Sequence, residues 1–156
     1  MASLYTRDEY MDFVAHCQYW LPEDQDEIIA KLDEFYKSGV CVDDNYGSGA
    51  GGSGIYIAMA LGLTKVVRWF IEHGADMNQQ AGFDQHMVYK CLLSCAIEEG
   101  MDAEIIRKML EAGADPNAPE DEVHPLEIAK ATRNASDREK ISALLTEFGA
   151  RAVTAN

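Results

Sequence analysis

Positive charge is what this chain has least of. Its 156 residues hold 13 Lys and Arg against 27 Asp and Glu, a formal net charge of −14. A nucleic-acid partner needs a Lys/Arg footprint, so this balance excludes one and weighs equally against an anionic membrane surface. Long apolar runs are also missing. The longest, residues 55–63, is broken by Gly62 and is too short to cross a bilayer. The start, MASLYTRDEYMDF, has no apolar stretch behind a basic patch, so no secretory signal is expected and a cytoplasmic location is. Cysteine is sparse and unclustered. Cys17, Cys41, Cys91 and Cys95 form no CxxC and read as free buried thiols of a reducing compartment. Cys91 and Cys95 lie four apart and can share a helix face, but no third and fourth ligand stands at a metal-site spacing, so no metal is expected. Period-2 alternation of useful length is absent, which excludes a β architecture.

What is present is helical punctuation. Thr6-Arg-Asp-Glu9 has the form of a capping box, followed by Tyr10, Phe13, Val14, Cys17 and Leu21 at helical spacing. After Pro22, acids crowd a second helix start, and Ile28, Ile29, Leu32, Phe35 and Tyr36 supply its apolar stripe up to Gly39. Short helices are expected at 55–61, 65–73, 90–98, 103–112, 125–132 and 136–148. Thr64 is read as an N-cap, and Ser136-Asp-Arg-Glu139 as a second capping box. An apolar content of 47% excludes wholesale disorder, and the length fits one domain or one repeat array.

The helix-stop glycines Gly39, Gly74, Gly113 and Gly149 recur at intervals of 35, 39 and 36 residues. The residues after them also match: Gly74-Ala-Asp-Met-Asn78 and Gly113-Ala-Asp-Pro-Asn117, with Gly39-Val-Cys-Val-Asp43 and Gly149-Ala-Arg-Ala-Val153 as weaker copies. Residues 62–76 read as a second helix and its turn. His124-Pro-Leu-Glu-Ile-Ala129, residues 53–58 and residues 91–96 read as first-helix openings.

These segments resemble the ankyrin repeat family over roughly residues 24–150. The resemblance implies an all-α, ankyrin-repeat-like solenoid of about four helix pairs with finger loops, in which each pair buries an apolar face against its neighbours. It divides the single domain 1–156 into an N-terminal capping repeat, 1–43, repeats at 44–78 and 79–117, and a C-terminal capping repeat, 118–156. Against a family period of about 33 residues the copies carry insertions of about 2, 6 and 3, and the opening Thr-Pro is absent from the second and third copies. Those insertions fall in loops, where such repeats hold their binding surface.

Gly49-Ala-Gly51-Gly52-Ser-Gly54 is a GxGxxG followed by a helix. A dinucleotide loop needs a buried strand before it, and only Val40-Cys41-Val42 precedes this one. A finger loop is therefore the expected structure, and no cofactor is expected. His16, His73, His86 and His124 stand at no recognisable triad spacing, so no catalytic residue is assigned.

In the ankyrin register the carboxylates Asp43, Asp44, Glu120, Asp121 and Glu122 fall on finger loops, and Glu98 and Glu99 at an inner-helix end. With Tyr46, Tyr56, Phe83, Asp84, His86 and Tyr89 they form the expected partner-binding set, since tyrosine is a favoured interface anchor and acid complements a basic protein. The expected function is non-enzymatic binding of a basic protein, inhibiting or neutralising it. In size and charge the chain resembles bacterial toxin-immunity proteins, which makes a toxin or effector a candidate target. The alternatives are a regulatory adaptor or scaffold and, in another class, a nucleotide binder or enzyme built on residues 49–54 and His86.

Overall fold

Thr6 opens the first helix. Its hydroxyl accepts from the Glu9 amide at 3.2 Å while the Glu9 carboxylate accepts from the Thr6 amide at 2.7 Å, completing the capping box. The computed structural model describes residues 5–43, 53–83, 89–117, 124–132 and 135–151. Its helices are α1 (Arg7–Ala15), α2 (Gln25–Lys37), α3 (Gly54–Ala60), α4 (Thr64–Glu72), α5 (Leu92–Glu98), α6 (Ala103–Glu111), α7 (Pro125–Lys130) and α8 (Ala135–Glu147). Single 3-10 turns, His16–Tyr19 and Pro22–Asp24, link α1 to α2. The described chain is thus all-α apart from one antiparallel ribbon, β1 (Gln80–Phe83) with β2 (Tyr89–Cys91). None of these helices is long and apolar enough to cross a membrane.

The ribbon corrects the helix start expected at Lys90. Lys90 and Cys91 belong to β2, and Cys91, in an extended conformation, is the N-cap of α5: its Sγ accepts from the Ser94 amide at 3.3 Å. Two other expected caps are displaced. Ser136 lies inside the first turn of α8. Thr64 is the first residue of α4, and the residue before it, Leu63, makes no side-chain cap. The cap comes instead from α2, where Gln25 Oε1 accepts from the Lys65 amide at 2.9 Å.

The chain divides into two compact units, Met1–Asp76 and Met77–Asn156. In the first, α2 and α3 both pack on α4, and the fully buried side chains include Tyr10, Leu32, Ile55, Met59, Leu63 and Phe70. The buried Tyr10 hydroxyl donates to the Val42 carbonyl at 2.9 Å. In the second, α5 and α8 both pack on α7, and α6 packs on α8, around Leu92, Ile97, Ile105, Ile106, Met109 and Leu145. Ala58, Ala96 and Ala129 have no exposed surface, as close packing of the short helices requires. Leu21 and Tyr36 leave the apolar stripes in which the sequence placed them, being 50% and 47% exposed. Cys41 is exposed too, contrary to the buried thiol expected, whereas Cys95 is buried.

The glycine-stopped turns repeat the same wiring. At Gly74 φ is +81°, which any Cβ would strain. The Gly74 amide donates to Ile71 and the Ala75 amide to Phe70, closing a Schellman motif, and the equivalent pairs of bonds recur at Gly39, Gly113 and Gly149. Four residues past each of the first three stops stands a side chain that reaches the next turn. Asp43 accepts from the Asp76 amide at 3.0 Å through Oδ1 and at 3.2 Å through Oδ2. Asn78 accepts from the Asp115 amide at 2.9 Å and donates to the Gly113 carbonyl at 2.8 Å. Asn117 accepts from the Arg151 amide at 2.9 Å and donates to the Gly149 carbonyl at 3.0 Å. A carboxamide thus bonds a backbone donor and a backbone acceptor at once, and a carboxylate only the donor.

Replacing Asn117 by Ala removes both bonds, so urea denaturation should show a loss of about 1–3 kcal/mol. Asp43→Asn adds a donor opposite Gly74 and should hold or raise stability by up to about 1 kcal/mol.

Candidate functional site

Of the expected partner-binding residues, Asp43 takes part in the ladder of turns. Tyr56 is half-buried on α3, and Glu98 and Glu99 are exposed at the C-terminal end of α5. Phe83 and Tyr89 stand opposite each other in the ribbon, which brings together two residues six apart in sequence. Asp44, Tyr46, Asp84, His86, Glu120, Asp121 and Glu122 lie outside the described residues.

Only the last glycine of the GxGxxG segment is described, and packing explains it. Gly54 is the buried first residue of α3, and a Cβ there would stand 2.5 Å from the Phe70 ring tip, which is itself fully buried. Gly54→Ala should therefore cost about 1–3 kcal/mol by overpacking. In a double-mutant cycle read by thermal unfolding, adding Phe70→Leu should recover part of that cost. Strict additivity would contradict the packing explanation.

Two side-chain constellations were not anticipated. One joins α2 to α4. Trp69, 5% exposed, donates from Nε1 to Asp33 Oδ1 at 2.7 Å and stacks on His73 with centroids 4.0 Å apart and planes 15° apart. Tyr36 meets the edge of both rings, at 6.1 and 4.9 Å, and His73 Nε2 lies 3.8 Å from Asp33 Oδ1. Positions 69 and 73 share a helix face at i, i+4, and 33 and 36 are neighbours at i, i+3, so the spacing carried a trace of this cluster. The pairing of α2 with α4 did not show in it.

The other constellation is a groove of about 360 Å³ between α1 and α2. Its wall is aromatic: Phe35 lies 4.8 Å from Tyr5 and 5.4 Å from Phe13, between ring centroids. Lys31 Nζ sits 4.1 Å from the centroid of Tyr5 and 5.4 Å from that of Phe35. It donates to the Tyr5 hydroxyl at 2.8 Å and to Glu34 Oε2 at 3.1 Å, and the same hydroxyl donates to Glu34 at 2.8 Å. The Tyr5 bond, then Glu34, holds the Lys31 ammonium above the ordinary lysine range. The Tyr5 bond, then Lys31, holds the Glu34 carboxyl below the ordinary carboxylate range. Glu9, Asp12 and His16 also line it.

The signs fix where this triad contributes. A depressed carboxyl stabilises above its unfolded pKa, and the benefit is lost as the pH falls through the folded value. A raised ammonium stabilises below its unfolded pKa, and the benefit is lost as the pH rises through the folded value. In Tyr5→Phe, an NMR titration should find the Glu34 carboxyl ionising at higher pH than in the parent chain. An unchanged titration would mean that the hydroxyl does not act on it.

Among the described residues, no three His, Cys, Asp or Glu side chains cluster as a metal site would require. No protein-family model matches the chain, and no curated protein matches it significantly.

Proposed function

We propose that this chain is a non-enzymatic binding module, a divergent ankyrin-repeat-like array of helix pairs, that grips a basic protein and inhibits or neutralises it. The array reading is supported by the turn wiring: the same Schellman stop, and four residues later the same reach to the next turn, recur in phase with the Gly-Ala-Asp-x-Asn copies. The observation that carries the functional reading is the unbalanced charge. Thirteen cations, even if each paired with one acid, leave at least 14 of 27 carboxylates without a Lys or Arg of their own. Lys31, Lys65, Arg107 and Lys130 already face acids of this chain. Crowded like charge opposes the compact state, and a basic partner relieves it while being steered toward it.

Pull-down from the native host at low and high salt should retain a basic protein whose recovery falls with salt. Asp121→Lys with Glu122→Lys should weaken that complex by about tenfold, while Glu139→Lys, on exposed α8 surface, should not. Equal losses would contradict a role for the 120–122 carboxylates. Calorimetric heat with ATP or NAD, and no protein retained, would overturn the module reading.

A further inference from the structure

Two of the large apolar side chains exposed among the described residues stand two apart in the link between α1 and α2. Tyr19 is 70% exposed and Leu21 50%, while Trp20 between them is half-buried, its ring 5.1 Å from that of Phe13. Local structure asks for neither exposed residue. Leu21 is the N-cap of the Pro22–Asp24 turn, a position that favours Ser, Thr, Asp or Asn, and it makes no side-chain cap. The His16 ring is 6.5 Å from that of Tyr19, and the Tyr19 hydroxyl makes no hydrogen bond among the described residues. Acid follows at once. Residues 8–30 hold seven carboxylates and no Lys or Arg. The dipole of α2 favours acid at its start, and Lys65 lies 3.5 Å from Asp26. Glu23, Asp24 and Glu27 make no ion pair or side-chain hydrogen bond among the described residues, so their charge stays open to an incoming cation.

We propose that this link docks a basic amphipathic segment of the partner, its apolar residues on Tyr19 and Leu21 and its Lys or Arg side chains against Glu23, Asp24 and Glu27. This rests on the basic-partner reading and gives that partner an apolar anchor. The exposed pair and the acids select the occupant jointly. A tyrosine ring and a leucine side by side offer area to an aliphatic or aromatic side chain. Open carboxylates beside that area attract cations and repel anions, which excludes a nucleic acid and an anionic membrane. They also exclude a second copy seated on a two-fold axis, because that contact brings the same acids face to face. A partner with charge alone gains little here, since ion pairs in open water are weak and screened by salt. Apolar cover over Tyr19 and Leu21 displaces water from beside the carboxylates and strengthens each pair, so the two kinds of contact reinforce each other.

The test titrates the full chain, isotopically labelled, with two acetylated peptides of equal length and charge, at low and high salt. One is built of Lys and Leu, and the other carries Ser for every Leu. The proposal expects saturable amide shifts centred on residues 19–27, with the leucine peptide bound more tightly and keeping more of its affinity at high salt. Tyr19→Ser with Leu21→Ser should weaken the leucine peptide about tenfold, to the level of the serine peptide. Glu23→Gln with Glu27→Gln should weaken both peptides about three- to tenfold at low salt, with Glu139→Gln as a control without effect. All these positions are exposed, and circular dichroism verifies that the variants stay folded. Shifts centred elsewhere, or the double serine variant binding as tightly as the parent, would overturn the link as the docking surface and leave the basic-partner reading standing. Equal affinity for the two peptides would overturn the apolar anchor. Self-association in sedimentation that the double serine variant abolishes would make a second copy the occupant and overturn the choice of a basic segment. Binding of neither peptide at low salt would sink the basic-partner reading and the link with it.

Discussion

The structure depends on one repeated constraint: at Asp43, Asn78 and Asn117 a side chain four residues past a glycine stop is held to the backbone of the next one. Apolar burial supplies most of the stabilising energy within each unit, but it has no direction. The bonds of Asp43, Asn78 and Asn117 to the following turns are directional. The Schellman motifs make this possible, since they leave the second residue after each glycine with its amide pointed at that side chain. Most of these contacts are solvent-exposed, so each contributes modestly. Their value lies in specifying register.

The constraint also shaped what was legible in the sequence. Helix stops and the Thr6 box are local events written in a few neighbouring residues. They could be read directly, and so could the all-α character. What failed was non-local. Thr64 looks like a cap until Gln25, from 40 residues earlier, takes that role. Residues 80–91 looked like a loop running into a helix, because a three- or four-residue ribbon with a register shift is too short and irregular to leave an alternating pattern. Gly54 read only as the last glycine of a finger loop, because the Phe70 ring that needs its missing Cβ lies 16 residues away.

The candidate site was legible only as composition. Acid in excess pointed to a basic partner, but the residues chosen to present it were picked by loop register. One of them, Asp43, is spent on the turn ladder. The two clusters with defined geometry, Trp69 with His73 and the aromatic groove holding Lys31, each draw on two helices that only tertiary packing brings together. Their members read in the sequence as ordinary stripe and helix-end residues. The placement of charge was the harder part to foresee, since a carboxylate that caps a helix and one that awaits a ligand are the same residue type.

The borrowed cap on α4 has a bearing on how the chain acquires its structure. With no side-chain cap from its own N-cap residue, α4 depends at its first turn on Gln25 of α2, and its Trp69 depends on Asp33 of the same helix. A fragment cut between α2 and α3 would leave the Lys65 amide and the Trp69 indole without these two partners, so the folded α4 carries at both its first turn and its indole the imprint of a segment made before it.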